Sequence, residues 1–116
     1  MQFQFHNHGK VAEVISNAII ISSGQDVLDL IYNPSLTDVN GIILHQENII
    51  HAFFELHTGI AGDVLQKFVN YRCRLAIVGS FTSVESNSLQ DFIRESNKGK
   101  SVYFAENLTE AVTALA

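Results

Sequence analysis

A chain of 116 residues with 12 acidic against 7 basic side chains carries a formal charge of −5. That balance argues against nucleic acid as a partner, because holding phosphates takes a basic face. Hydrophobic residues make up 47% and proline occurs once, so the chain is neither disordered nor of low complexity, and one domain over residues 1–116 can fill its core without a disulfide or a metal. No segment approaches the ~20 apolar residues of a membrane span, and the opening MQFQFHNHGK lacks the apolar stretch of a signal peptide. The expectation is a cytoplasmic protein with no membrane contact.

In chain order, Phe3 and Phe5 alternate with polar residues, His8-Gly9 supplies a turn, and the run from Val11 to Ile15 returns; this is the pattern of a β-hairpin. The apolar stretch around Ala18-Ile19-Ile20-Ile21 fits a strand or a buried connector equally well. From Ser23 the pattern sharpens. Val27, Leu28, Leu30 and Ile31 recur at helical spacing and Asn33-Pro34 stops them. Gly41-Ile42-Ile43-Leu44-His45 is a short apolar run bounded by polar turns, as in a strand buried on both faces. A helix is predicted over residues 60–71, with Ile60, Val64, Leu65, Phe68 and Val69 on one face.

The unit then repeats. Leu75-Ala76-Ile77-Val78-Gly79 is a second buried strand, followed by a helix capped at Ser86 or Asn87 and ended at Asn97-Lys98-Gly99. A last strand at residues 101–104 leads to a helix capped by Asn107. Successive strands joined by helical crossovers must run parallel. The fold class is therefore α/β: a mixed, mostly parallel sheet with an N-terminal hairpin and about four helices.

Open α/β sheets place their sites at the carboxyl ends of the parallel strands, which directs attention to residues 45–48, 80–83 and 105–107. The segment HQENIIHAFFELHTGIAG holds His45, His51 and His57 together with Glu47 and Glu55. His45 and Glu47 face one way only if the strand continues through both, and His51 and Glu55 stand four apart, as in a surface helical pair. Nothing in this spacing specifies a metal site. His6 and His8, two apart, read as a solvated strand edge. Ser80 follows Gly79 at a strand end without the second glycine of a nucleophile elbow, and no Gly-Lys-Ser/Thr follows Gly59 and Gly62 as in a phosphate loop. No catalytic residue, metal or cofactor is expected. Thr58-Gly59-Ile60-Ala61-Gly62 reads as a helix start, with Thr58 as N-cap, Asp63 in the first turn, and the small residues allowing close approach to the sheet. An exposed Thr58 hydroxyl there is also a candidate phosphoacceptor. The single Cys73, between Arg72 and Arg74, reads as a half-buried small side chain, the alternative being a thiolate stabilised by the arginines.

Two resemblances follow from these strings. Thr58-Gly59-Ile60-Ala61-Gly62, then Leu65-Gln66-Lys67-Phe68-Val69-Asn70-Tyr71-Arg72, Leu75-Ala76-Ile77-Val78-Gly79 and Asp91-Phe92-Ile93-Arg94-Glu95-Ser96-Asn97 resemble the bacterial family catalogued as domain of unknown function 4180, which has no assigned activity. The element order is similar to the STAS domain, the fold of bacterial anti-sigma-factor antagonists. That resemblance implies a regulatory module in which a Ser or Thr at the start of the helix after the central strand is phosphorylated by a partner kinase. Thr58-Gly59-Ile60 is similar to that family's Ser-Gly-Leu, but His57-Thr58 stands where the family has Asp-Ser, and about four extra residues separate Leu44 from Thr58.

The expectation is a non-enzymatic, STAS-like interaction module. Its contact candidates are His45, Glu47, Asn48, Thr58, Gly59 and Gly62. Its partner is another protein, or a second copy associating through Phe53, Phe54 and Leu56. The rival is a small-ligand- or metal-binding enzyme centred on the segment from His45 to His57.

Overall fold

The computed structural model describes residues 1–81 and 85–116. Its five strands are β1 (Gln2–His6), β2 (Val11–Ile15), β3 (Gly41–His45), β4 (Arg74–Val78) and β5 (Val102–Ala105), and they lie side by side in chain order. β1 runs antiparallel to β2 and the other neighbours are parallel, as the hairpin and the helical crossovers require. Among the described residues the α-helices are α1 (Gly24–Ile31), α2 (Ile60–Asn70), α3 (Asn87–Lys98) and α4 (Leu108–Ala114).

Side-chain alternation divides the strands between two cores. Ala12, Val14, Ile42, Leu44, Leu75, Ile77, Val102 and Phe104 face Val27 and Leu30 of α1, Val64 and Phe68 of α2, and Phe92 and Ile93 of α3. Val11, Ile43, Ala76 and Ala105 face Ala111 and Leu115 at α4. All three crossover helices thus share one face, and among the described residues α4 alone packs on the other.

α1 and α2 are joined at both ends. The Gly24 N–H donates to Asp63 Oδ2 at 2.8 Å, and a Cβ on Gly24 would lie 2.7 Å from that carboxylate and displace it. Asp63, expected to serve its own helix, thereby also caps its neighbour. At the other end Tyr32 and Tyr71, the residues closing each helix, meet edge to face with ring centroids 5.7 Å apart.

Some local expectations need correction and others are decided. Thr58 is not the N-cap of α2. Gly59 takes that place at φ +78, a left-handed conformation that glycine adopts without steric cost. Gly62 has open space around it and is exposed; Ala61, 3% exposed, makes the close approach instead. The apolar stretch after residue 15 is a connector with a single bridge, Ile21 to Ile49. Gly99, which closes α3, is extended, and Asn97 is bound to β5. Its Nδ2 donates to the Phe104 carbonyl at 3.1 Å and its Oδ1 accepts the Phe104 N–H at 2.7 Å. Phe53 is fully buried in the chain's own core, with the half-buried Phe54 and Leu56 packed beside it.

Replacing Asn97 by alanine leaves both Phe104 backbone groups without this partner. Asn97→Ala should lower unfolding free energy by about 1–3 kcal/mol in urea titration and speed hydrogen exchange at the Phe104 amide.

Candidate functional site

β3 ends at His45, whose backbone N–H donates to Asn48 Oδ1 at 3.0 Å as the chain turns through Gln46–Asn48. Asn48 is fully buried. Its Nδ2 donates to the Ser16 and Ala18 carbonyls at 2.9 and 3.0 Å, so its amide is a clasp between loops, not a group open to a ligand. Beside this turn is a wide, shallow depression of about 570 Å³ lined by His45, Gln46, Glu47, Val78, Gly79, Ser80 and Glu106. It lies at the carboxyl ends of β3 and β4 and just beyond β5, where strand polarity predicts a site. Its rim is cross-tied: Gln46 Oε1 accepts the Ser80 N–H at 3.2 Å and Glu106 Oε1 accepts the Phe81 N–H at 3.3 Å. A Cβ on Gly79 would overlap Gln46 Oε1 and lie 2.9 Å from the Phe81 ring, so this glycine keeps the two loops in contact. Of the 80–83 segment, Thr82 and Ser83 lie outside the described residues.

Behind the depression stands a group that sequence reasoning passed over. Glu13, in the middle of β2, is 5% exposed. His45 Nε2 lies 2.7 Å from one carboxylate oxygen and His6 Nε2 3.0 Å from the other. Burial pushes the Glu13 carboxyl up, but the hydrogen bonds and charges of His45 and His6 outweigh it, leaving the group below its ordinary 4.5. The carboxylate thus ties β1 and the end of β3 to the β2 between them. The hairpin register carried the signal: Gln4 pairs with Glu13 and His6 with Val11, which puts His6 and Glu13 on one face two residues apart in register.

The remaining candidates go elsewhere. Glu47 is exposed on the rim. His51 pairs with Glu55 at 3.6 Å, with the histidine side chain 87% exposed, the surface pair expected from their spacing. His57 lines a separate groove with Phe54, Leu56 and Ser86. The histidines at 45, 51 and 57 therefore do not converge, and each oxygen of Glu13 has its own imidazole. Among the described residues no group of three His, Cys, Asp or Glu side chains is placed to hold a metal ion. Thr58 is exposed; its Oγ1 lies 2.8 Å from the Ala52 and Glu55 carbonyls as donor and accepts the Ile60 N–H at 3.3 Å. Gly59 follows it, and Gly62 lies exposed in the first turn of α2.

Cys73 is 7% exposed and burial pushes its thiol up to about 12, against a smaller opposing effect of Arg74. It is a core side chain, not an activated thiolate. With Tyr32, Leu36, Ile42 and Tyr71 it lines a cavity of about 330 Å³, at the end of the sheet away from His45. No described helix is long and apolar enough to cross a membrane.

The model of the family described as Domain of unknown function (DUF4180) matches residues 6–115, and the chain belongs to that family. No curated protein and no solved structure matches it significantly.

Because its folded-state value is depressed, Glu13 contributes stability that is present above about 4.5 and is lost as pH falls through the lowered value. Glu13→Gln should therefore unfold more easily than wild type at pH 7, by about 1–2 kcal/mol. The difference should shrink as the pH drops below 4.5, read from urea titrations at a series of pH values.

Proposed function

We propose that this DUF4180 chain is a cytoplasmic, non-enzymatic regulatory and protein-interaction module of STAS-like architecture. It meets its partner through the turn at residues 45–48 and the start of α2 at Thr58. The observation that carries this reading is how the polar side chains at the strand ends are used. His45, Gln46, Asn48, Thr58 and Glu106 each hydrogen-bond a side chain or backbone group of another loop or strand. Side chains committed in this way make a fixed surface, which favours recognition by shape and charge over general acid–base work, where a group must exchange protons with a substrate.

The winding supports the STAS-like part of the reading. The strands follow chain order, β3 is central, and the helix after it begins just beyond an exposed Thr58 followed by glycine. A phosphate on Thr58 would remove the hydroxyl proton directed at the Ala52 and Glu55 carbonyls and set charge against them. The turns at His51–Phe54 and Leu56–Thr58 would then rearrange, giving a switch at the contact surface.

The test is affinity capture from cells expressing the tagged protein, comparing wild type with Glu47→Arg and Thr58→Glu and mapping phosphate by mass spectrometry. A partner protein lost by about tenfold in either variant, with the unfolding midpoint unchanged, supports the module. Phosphate on Thr58 supports the switch. Identical partners in all three proteins would overturn the surface, and binding unchanged in Thr58→Glu without phosphate on Thr58 would overturn the switch.

A further inference from the structure

The two edges of the sheet are finished differently. At β5 the Asn97 amide occupies both the N–H and the C=O of Phe104, standing in for a neighbouring strand. β1 pairs with β2 alone among the described residues. Its sequence, Gln2-Phe3-Gln4-Phe5-His6, carries no Lys, Asp, Glu, Pro or Gly, so none of the residues that usually deter edge pairing is present. Phe5 is 43% exposed, and its ring lies 6.4 Å from that of the half-buried Phe3.

We propose that β1 is a self-association edge, pairing antiparallel with β1 of a second copy about a twofold axis at Gln4 and joining two five-stranded sheets into one. The strand is complementary to itself in that register. Phe3 of each copy faces Phe5 of the other, Gln2 faces His6, and Gln4 faces Gln4. Aromatic pairs form on the side of the sheet that carries α1–α3, and no like charges meet. An unrelated extended peptide would match this edge only by chance of sequence, whereas a second copy matches by symmetry and uses up both open edges at once. Because Asn97 occupies β5, the pairing closes as a dimer and does not propagate. The edge of β1 includes none of residues 45–48 or Thr58, and Gln4 makes no bond to them, so the tests at position 4 and those at Glu47 and Thr58 fail separately.

Light scattering and sedimentation over a wide concentration range test it. Wild type should dimerise reversibly. Gln4→Lys sets two charges opposite each other at the axis and should weaken the dimer about fivefold at low salt, with recovery at high salt. Gln4→Val should hold or tighten it. Gln4→Cys should give a disulfide-linked dimer under mild oxidation, since directly opposed side chains approach closely and Cys73 is buried with its thiol pushed up to about 12. Gln4 is exposed, so the variants should keep the wild-type circular dichroism melt. A monomer at every concentration overturns the proposal. So does a dimer that ignores Gln4→Lys and fails to cross-link through position 4.

Discussion

Much of the arrangement depends on one buried amide. The Asn48 side chain accepts the His45 N–H and donates to the Ser16 and Ala18 carbonyls, while the backbone carbonyl of the same residue accepts from the Ile20 and Ile21 N–H groups. These bonds bring the connector after β2 to the end of β3, seat the fully buried Ile21, and lead the chain into α1 at Gly24. They also fix the backbone of His45, and through its imidazole the carboxylate of Glu13. A smaller or apolar residue at 48 would leave several buried polar groups unpaired, and such groups are costly to leave in a low-dielectric interior.

The placement of charge follows from the uneven cover of the two faces. Three helices shield one face, while α4, seven residues long, spans only about 10 Å of the other. Toward β1 that second face is largely open, and it carries Gln2, Gln4, His6 and Glu13 beside a partly exposed Ile15. Glu13 sits where the covered and open parts of the face meet, beside Ile43. There a carboxylate is too buried to rely on water, and two imidazoles supply its partners. The strand ends above it are held by side-chain-to-backbone bonds of the same kind.

The strand–helix alternation was legible because it rests on period and punctuation: apolar runs of strand length, helical stripes, and caps such as Ser86 and Asn107, whose side chains accept the Leu89 and Glu110 N–H groups as their positions imply. What escaped was interaction across long separation. Glu13 looked like an ordinary polar residue in a hairpin, since its partner His45 lies 32 residues away. Asp63 and Asn97 were read within their own helices, yet each bonds to another element. Among the candidates, His45 and Glu47 do share the depression, while Asn48 is a structural clasp and Thr58 yields the cap to Gly59. An amide or carboxylate that serves a local role and one that reaches across the fold look alike in sequence, because both satisfy the same spacing rules.

The chain-order sheet also bears on how the molecule comes to exist. Each strand from β2 onward pairs with the strand made just before it, and each crossover helix can settle on the face already present. Assembly can therefore proceed in step with synthesis, without waiting for distant segments to meet. Only α4 completes the second face, and its closing bonds, from Asn7 to the Val112 carbonyl and from Arg74 to the Leu115 carbonyl, span long stretches of chain. A nascent chain would thus carry a nearly finished sheet with Val11, Ile43 and Ala76 still bare, and the final helix would act as the latch.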